Sequence, residues 1–225
     1  MSWHDLLFLH YRADADRLAS TIPRGLELDT FDGAAFVSVV PFRMTNVGPR
    51  GLNFLPRVSA FPELNVRTYV TAGGRPGVWF YSLDAASALA VEAARAFFHL
   101  PYLRASMKCD RDDAGWVHYE SERVDARGRA ARFRARYRAL GSPRRAAPRS
   151  LEEFLTDRYC LYAADRAGRV HRGHIHHVPW PLRDAQLEVD VDTMTEAAGL
   201  FVGREAPVLH FVDRLDVIAW TLEKA

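Results

Sequence analysis

Cysteine is scarce in this chain of 225 residues. Its two cysteines, Cys109 and Cys160, are far apart in the sequence and form no CxxC pair. A small secreted protein held together by disulfides would need more cysteines at closer spacing. We therefore expect two free thiols in a reducing compartment.

An excess of charge of one sign and a long apolar run are also missing. Thirty basic and twenty-eight acidic side chains give a formal net charge of +2, which predicts no strong attraction to nucleic acid or anionic membranes. The apolar run at 85–91 is far shorter than a membrane span, and the run at 6–9 is too short for a signal peptide. These features predict a cytoplasmic protein with no nucleic-acid or membrane partner; a homo-oligomer remains open.

Apolar and aromatic residues are plentiful, at 48% and 12% of the chain. This composition is sufficient for a substantial core. The length is high for one domain but within the range that β-barrels reach. We therefore expect a single domain over residues 1–225.

Short β patterns dominate the chain. Strands are predicted at 6–11, 36–42, 63–71, 78–83, 102–109, 115–124, 131–140, 158–164, 169–177 and 208–221. Helices are predicted at 14–18, 87–98 and 193–200 and after Ser150, which forms a capping box with Glu153. A loop is expected around Pro49, Gly51 and Pro56. Because closure removes exposed edges, the pattern predicts a mainly β (α+β) fold, an antiparallel closed or strongly curled β-barrel of about ten strands with a few flanking helices.

Three segments in the first half of the chain resemble the acetoacetate-decarboxylase superfamily. They are the runs 11–18 and 22–29, the hairpin from Phe61-Pro62-Glu63 to Gly77, and Ser82-Leu83-Asp84 leading through a helix to Pro101. Further strings at 29–33, 40–42, 65–70, 82–84 and 179–182 are similar to the YqjF-like proteins, a bacterial family of unknown function in that superfamily. The resemblance implies a fold but no known reaction.

The resemblance also implies that the central catalytic group is missing. The decarboxylases form a Schiff base on a lysine in a Tyr-Pro-Lys-Lys run, and this run falls on residues 100–103, where Tyr102 replaces the first lysine. A phenol cannot form a Schiff base. The family's carboxylate-binding arginine falls on His4, and its active-site glutamate, which points into the barrel, falls on Glu63.

The resemblance therefore implies a small pocket without a covalent handle. Its expected catalytic residues are Glu63 and Tyr102, and its expected ligand-binding residues are His4, Asn65, Arg67 and Met107. No cofactor is expected. One hypothesis is a protein that binds a small organic acid or carbonyl compound. The alternative is an enzyme that uses Glu63 as general acid or base, and Tyr102 as proton donor or oxyanion partner, in proton transfer beside a carbonyl.

Other interpretations of these residues remain open. Glu63 and Arg67 share a strand face and could form a structural ion pair. Lys108, one of two lysines, lies about 20 Å along the strand from Tyr102, so it is expected to be a solvated side chain rather than a replacement amine.

Two polar clusters also have simple structural explanations. At most two of the histidines at 171, 174, 176 and 177 face the same way on a strand, and no Cys or carboxylate motif with ligand spacing accompanies them. Polar strand positions are therefore expected rather than a metal site. The alternate arginines of 132–138 indicate an exposed strand.

Overall fold

The computed structural model describes residues 1–48 and 60–225. The strands of this part are β1 Ser2–Ala13, β2 Glu27–Leu28, β3 Ala35–Thr45, β4 Phe61–Ala72, β5 Arg75–Ala85, β6 Tyr102–Arg111, β7 Val117–Arg123, β8 Arg132–Arg144, β9 Cys160–Ala164, β10 Val170–His176, β11 Leu182–Asp192, β12 Val208–Asp216, β13 Ile218–Ala219 and β14 Glu223–Lys224. Its helices are α1 Ala15–Ala19, α2 Ala88–Phe98, α3 Leu151–Thr156 and α4 Met194–Ala197. None of these helices is long and apolar enough to span a bilayer.

Nine of the strands close into a ring. Their order is β1, β3, β4, β5, β6, β7, β8, β11 and β12, and β12 pairs again with β1. Neighbours are antiparallel except β5 and β6, which are parallel because α2 carries the chain back between them. The predicted mainly β, closed barrel is confirmed.

Local sequence signals explain several of these elements. Asp14 caps α1 by accepting a hydrogen bond from the Arg17 backbone N–H, and Ser150 caps α3 in the same way through Glu153. A turn at Gly73-Gly74 joins β4 to β5, and both glycines have positive φ. The predicted loop around Pro49, Gly51 and Pro56 lies outside the described residues.

The barrel interior is filled by an apolar cluster to which each of the nine strands contributes, including Leu7, Val39, Val66, Tyr119 and Phe133. Because successive side chains of a strand point to opposite faces, the neighbours of these residues point outward. On β6, β7 and β8 many of the outward side chains are exposed.

The outer face of β12, β1, β3, β4 and β5 is instead covered by a second layer. This layer consists of α2, α3, β9, β10 and residues 177–182, and β9 pairs in parallel with β5. The ring of Trp180 packs 5.1 Å from Phe8 and 5.9 Å from Trp3, measured between ring centroids. Both faces of this part of the wall are therefore buried, and we call its outer side the covered face.

The sequence analysis does not predict β11, which lies between β8 and β12 in the ring. Its Ala185 and Leu187 pack against the barrel interior. Its Glu188 lies opposite the exposed arginine row of β8 and pairs with Arg136 at 2.6 Å. The polar outer face of β11 thus provides partners for that row.

Candidate ligand site on the covered face of the barrel

The covered face of β4 carries a row of buried polar residues. In order along the strand they are Glu63, Asn65, Arg67 and Tyr69. The cross-strand partners of Glu63 are Phe42 and Ala85, which belong to the covered cluster, whereas Leu64 faces the barrel interior. The implication that Glu63 points into the barrel is wrong: Glu63 is buried, but outside the ring. Alternation along β4 separates its two faces without indicating which one is inside.

Glu63 and Tyr102 form a direct contact. The Tyr102 hydroxyl donates a hydrogen bond of 2.9 Å to Glu63 Oε2. Burial raises the pKa of Glu63 to about 8, although the hydrogen bond from Tyr102 acts in the opposite direction. Burial and the adjacent carboxyl group raise the pKa of Tyr102 well above its ordinary value. At neutral pH the pair is thus a buried, largely protonated acid beside a phenol.

The fold brings these two residues together across β5. Ala85 pairs with Glu63, and Leu83, two residues earlier on the same face of β5, pairs with Tyr102. The short side chain of Ala85 leaves room for the phenol to reach β4. Arg95 of α2 donates a hydrogen bond of 2.8 Å to the backbone oxygen of Tyr102, so α2 also holds the start of β6 in place.

Arg67 is a buried cation without a carboxylate partner. Its residue exposure is 7%, and among the described residues it forms no ion pair. The segment 49–59 contains no Asp or Glu. Within the described part of the chain, Arg67 donates one side-chain hydrogen bond, to the Leu155 backbone oxygen at 3.5 Å. Its guanidinium carbon lies 5.2 Å from the Phe8 ring centre and 5.9 Å from that of Tyr69. Burial lowers the pKa of Arg67.

The proposed ion pair between Glu63 and Arg67 is therefore wrong. The two residues are four positions apart, which corresponds to about 13 Å along a strand. Glu63 bonds to Tyr102 instead. Arg67 donates instead to the Leu155 backbone oxygen.

A histidine that sequence reasoning missed lies beside Arg67. His10 of β1 is 1% exposed, and its Nδ1 lies 2.7 Å from Ser38 Oγ and 2.9 Å from the Tyr69 hydroxyl, while these two oxygens are 2.6 Å apart. Burial, with Arg67 and His210 nearby, lowers the pKa of His10 well below its ordinary value. His10 is therefore neutral at pH 7.

His210 of β12 lies next to His10. The ring centroids are 5.5 Å apart, and His210 is 2% exposed. Its Nε2 lies 3.5 Å from Oε1 of Glu152, a partly exposed residue of α3. Burial lowers the pKa of His210, and Glu152 opposes this effect. The sequence signal that could have identified both residues is a histidine within an otherwise apolar strand segment.

Buried polar atoms without partners are concentrated on the covered face. Five such atoms among the described residues are Trp3 Nε1, His10 Nε2, Asn65 Oδ1, Arg67 Nε and His210 Nδ1. A further one, Ser121 Oγ, belongs to a strand of the opposite wall. Buried polar groups in native proteins nearly always have partners. This concentration makes the covered face the candidate ligand site.

Two expected site residues lie elsewhere. His4 donates to or accepts from Thr45 at 2.9 Å, and it lies near the charges of Arg43 and Arg214 rather than with the row on β4. β1 is irregular at Asp5, which has a φ of 52°, so His4 does not continue the strand face formed by Leu6 and Phe8. Met107 packs in the barrel interior, on the opposite side of the wall from Arg67.

The other polar features are placed as follows. Lys108 and Lys224, the two lysines of the sequence, are both exposed. His171 contacts Asp165 and His174 contacts Glu223, and no group of residues in the described ranges has the geometry of a metal site. Surface clefts of about 330 and 360 Å³ are lined by residues around Arg12 and Phe201 and around Arg129 and Thr193, away from the row on β4.

The fold is that of acetoacetate decarboxylase and its structural relatives. The chain aligns over its full length with 89% of the enduracididine biosynthesis enzyme MppR, with a TM-score of 0.69 at 15% identity. It also aligns over 99% of its length with 86% of an acetoacetate decarboxylase from Legionella pneumophila, with a TM-score of 0.62 at 14% identity.

Sequence similarity defines the family. Residues 1–216 match the family DUF2071, described as an uncharacterized conserved protein. The chain is 43% identical to the uncharacterized protein YqjF of Bacillus subtilis over 223 residues, which cover 99% of this chain and 90% of that protein. The chain therefore belongs to the DUF2071 family, and the YqjF-like resemblance is confirmed.

Proposed function

We propose that the protein binds a small organic acid or carbonyl compound on the covered face, without forming a Schiff base. The observation that supports this most strongly is Arg67, a buried guanidinium for which the chain provides no carboxylate. A buried charge is costly unless a partner of opposite charge compensates it. The carboxylate of a ligand would be that partner, and a guanidinium fits a carboxylate in a bidentate geometry.

The remaining groups of the row fit the rest of such a ligand. Asn65 lies between Arg67 and Glu63 and has an unpartnered Oδ1. Glu63, largely protonated at neutral pH, can donate a hydrogen bond to a carbonyl oxygen, while its Oε2 accepts the bond from Tyr102. A short molecule whose anionic end contacts Arg67 would place its polar end near Asn65, the next residue of the row.

The absence of a buried amine favours non-covalent binding. Both lysines are exposed, and Tyr102 occupies the position where the resemblance places the reactive lysine. Borohydride treatment of the protein with a keto acid should therefore give no adduct at a lysine. Structures of MppR with pyruvate and with a condensation product of pyruvate show that small keto acids bind to a protein of this fold.

Binding can be tested by titrating the protein with pyruvate, propionate and butyrate in a calorimeter. We expect at least one acid to bind the wild type and Arg67→Met to weaken this binding by tenfold or more. Arg134→Met is the matched control, because Arg134 is exposed and pairs with Asp190. If no acid binds, or if Arg67→Met binds as well as the control, the proposal is refuted.

A second candidate function is proton transfer beside a carbonyl. The contact between Glu63 and Tyr102 favours it, since an acid with a pKa of about 8 can both donate and accept a proton near neutral pH. The test is the exchange of the α-protons of a bound keto acid in D₂O, followed by NMR. Enzyme function predicts that Glu63→Gln abolishes the exchange, whereas a binding protein gives none above the uncatalysed rate.

A further inference from the structure

The two unpartnered imidazole nitrogens on the covered face have complementary hydrogen-bonding roles. His10 and His210 come from adjacent strands, β1 and β12, and their rings are 5.5 Å apart. Each ring has one nitrogen engaged with the protein and one that has no hydrogen-bond partner among residues 1–48 and 60–225. The engaged nitrogen determines which tautomer is present and therefore what the other nitrogen offers.

Counting protons assigns the tautomer of His10. Nδ1 and the hydroxyl oxygens of Ser38 and Tyr69 lie within hydrogen-bond distance of one another. If Nδ1 accepts, one hydroxyl donates to it and the other donates to the first, so both hydroxyl protons are used. If Nδ1 carried a proton, one hydroxyl would have no acceptor in this group. The neutral ring therefore carries its proton on Nε2, which is a donor without a partner.

His210 has the opposite arrangement. Its Nε2 faces Glu152 Oε1 at 3.5 Å, and a carboxylate oxygen opposite an unprotonated nitrogen would bring two lone pairs together. The proton of the neutral ring is therefore on Nε2, and Nδ1 is an acceptor without a partner. One donor and one acceptor thus face the covered layer from adjacent strands.

A hydroxyl group of a ligand can satisfy both nitrogens at once, because it can accept from His10 and donate to His210. We infer that this histidine pair selects a hydroxyl on the ligand, so that the ligand is a small hydroxy acid rather than a keto acid. A carbonyl oxygen accepts from His10 but leaves the His210 acceptor unsatisfied, and a methylene satisfies neither. The inference rests on the proposed function, which supplies the carboxylate contact at Arg67.

The distance from this pair to Arg67 suits a short molecule. Ser38 pairs with His10 on one side and with Arg67 on the other, so His10 and Arg67 are two strands apart, about 10 Å between backbones. The guanidinium of Arg67 extends over Phe8, whose ring lies 5.2 Å from that of His10. The charge of Arg67 also acts on His10, so the inference predicts a ligand whose carboxylate and hydroxyl are separated by only one to three carbons.

The test compares acids that differ in one group. Calorimetric affinities are measured for lactate, pyruvate and propionate, and for 3-hydroxybutyrate, acetoacetate and butyrate. We expect the hydroxy acid of at least one set to bind tenfold or more tightly than both its analogues. If the three acids of both sets bind equally, the inference fails while the proposed function stands; if none binds, the proposed function itself fails.

Two further measurements separate hydroxyl recognition from a general effect of the covered layer. In His210→Phe the preference for the hydroxy acid should fall to within about twofold, whereas His118→Phe, at an exposed histidine bound to Asp112, should retain it. Imidazole ¹⁵N shifts of the wild type should show His10 protonated on Nε2 and His210 on Nε2. An unprotonated Nε2 on either ring would overturn the inference even if His210→Phe does not fold.

Discussion

Replacing Arg67 by methionine should stabilise the protein in the absence of ligand. Most truncations of a buried side chain destabilise a protein, so a gain would be informative. The reason to expect one is that Arg67 is buried and has no carboxylate partner. Its desolvation cost is several kcal/mol and remains uncompensated.

The magnitude follows from the contacts that would be lost. The guanidinium lies over the rings of Phe8 and Tyr69, and each such contact is worth about 0.5–2 kcal/mol. Its hydrogen bond to the Leu155 oxygen is 3.5 Å long and adds less than about 1 kcal/mol. Methionine keeps an apolar chain of similar reach and can pack against the same rings. We expect the free energy of unfolding to rise by about 2 kcal/mol, which corresponds to roughly 4–8 °C in Tm for a domain of this size.

Ligand should reverse the order of stability. A bound acid at one hundred times its Kd adds about 2.7 kcal/mol to the stability of the wild type. Arg67→Met has lost the carboxylate contact and should gain little. The assay is chemical denaturation of both proteins with and without the acid found by calorimetry. A variant that is less stable than the wild type by more than about 1 kcal/mol without ligand would show that Arg67 serves the fold and would refute the reasoning.

Three further predictions concern Glu63 and the barrel around it. Because burial raises the pKa of Glu63 to about 8, its proton contributes stability that is fully present below about pH 4 and is lost as the pH rises through about 8. Glu63→Gln should remove roughly 2–5 kcal/mol of the stability change between pH 5 and 8.5 measured by denaturation; parallel pH profiles would contradict this. Asp84→Ala leaves the buried Arg123 without its carboxylate and should lower the free energy of unfolding by about 3–5 kcal/mol. Glu188→Ala, at an exposed pair, should lower it by about 0–1 kcal/mol. Equal losses would show that burial of the pair does not matter. Gly77→Ala places a methyl group 2.7 Å from the backbone of β9 and should lower the free energy of unfolding, measured in urea, by about 1–3 kcal/mol. Gly203→Ala, where the methyl group has room, should lower it by less than about 1 kcal/mol.

Much of the fold can be predicted from local patterns. Each of the ten predicted strands has a counterpart, and the caps at Asp14 and Ser150 are formed by the side chains that the sequence indicates. The alternation of apolar and polar residues from Asp184 to Val191 would also have predicted β11. The parallel pairing of β5 with β6 depends on where α2 packs, which periodicity does not contain.

The candidate site is harder to predict because both faces of β4 are buried. Alternation groups Glu63, Asn65 and Arg67 together, but it cannot tell the barrel interior from a covered outer face. The distance of four residues along the strand does exclude the Glu63–Arg67 ion pair, and this can be worked out from the sequence alone. The partnership of His10 with His210 joins residues two hundred positions apart and follows only from the ring closure between β12 and β1.

Under the proposed function, the inner side of the barrel wall stabilises the fold and the covered face binds the ligand. Inside the ring, the buried Asp84 is satisfied by a buried arginine at 2.9 Å, and the cluster around Tyr119 is apolar. On the covered face, Arg67, His10 and His210 are buried and have atoms without partners in the part of the chain that the structure describes, although an apolar layer there would be more stable. Unsatisfied groups reduce stability, and five of the six such atoms among the described residues lie on the covered face, where the proposed ligand would complete them. Substitutions at these three residues should therefore change binding more than they weaken the fold, and substitutions inside the ring should do the opposite.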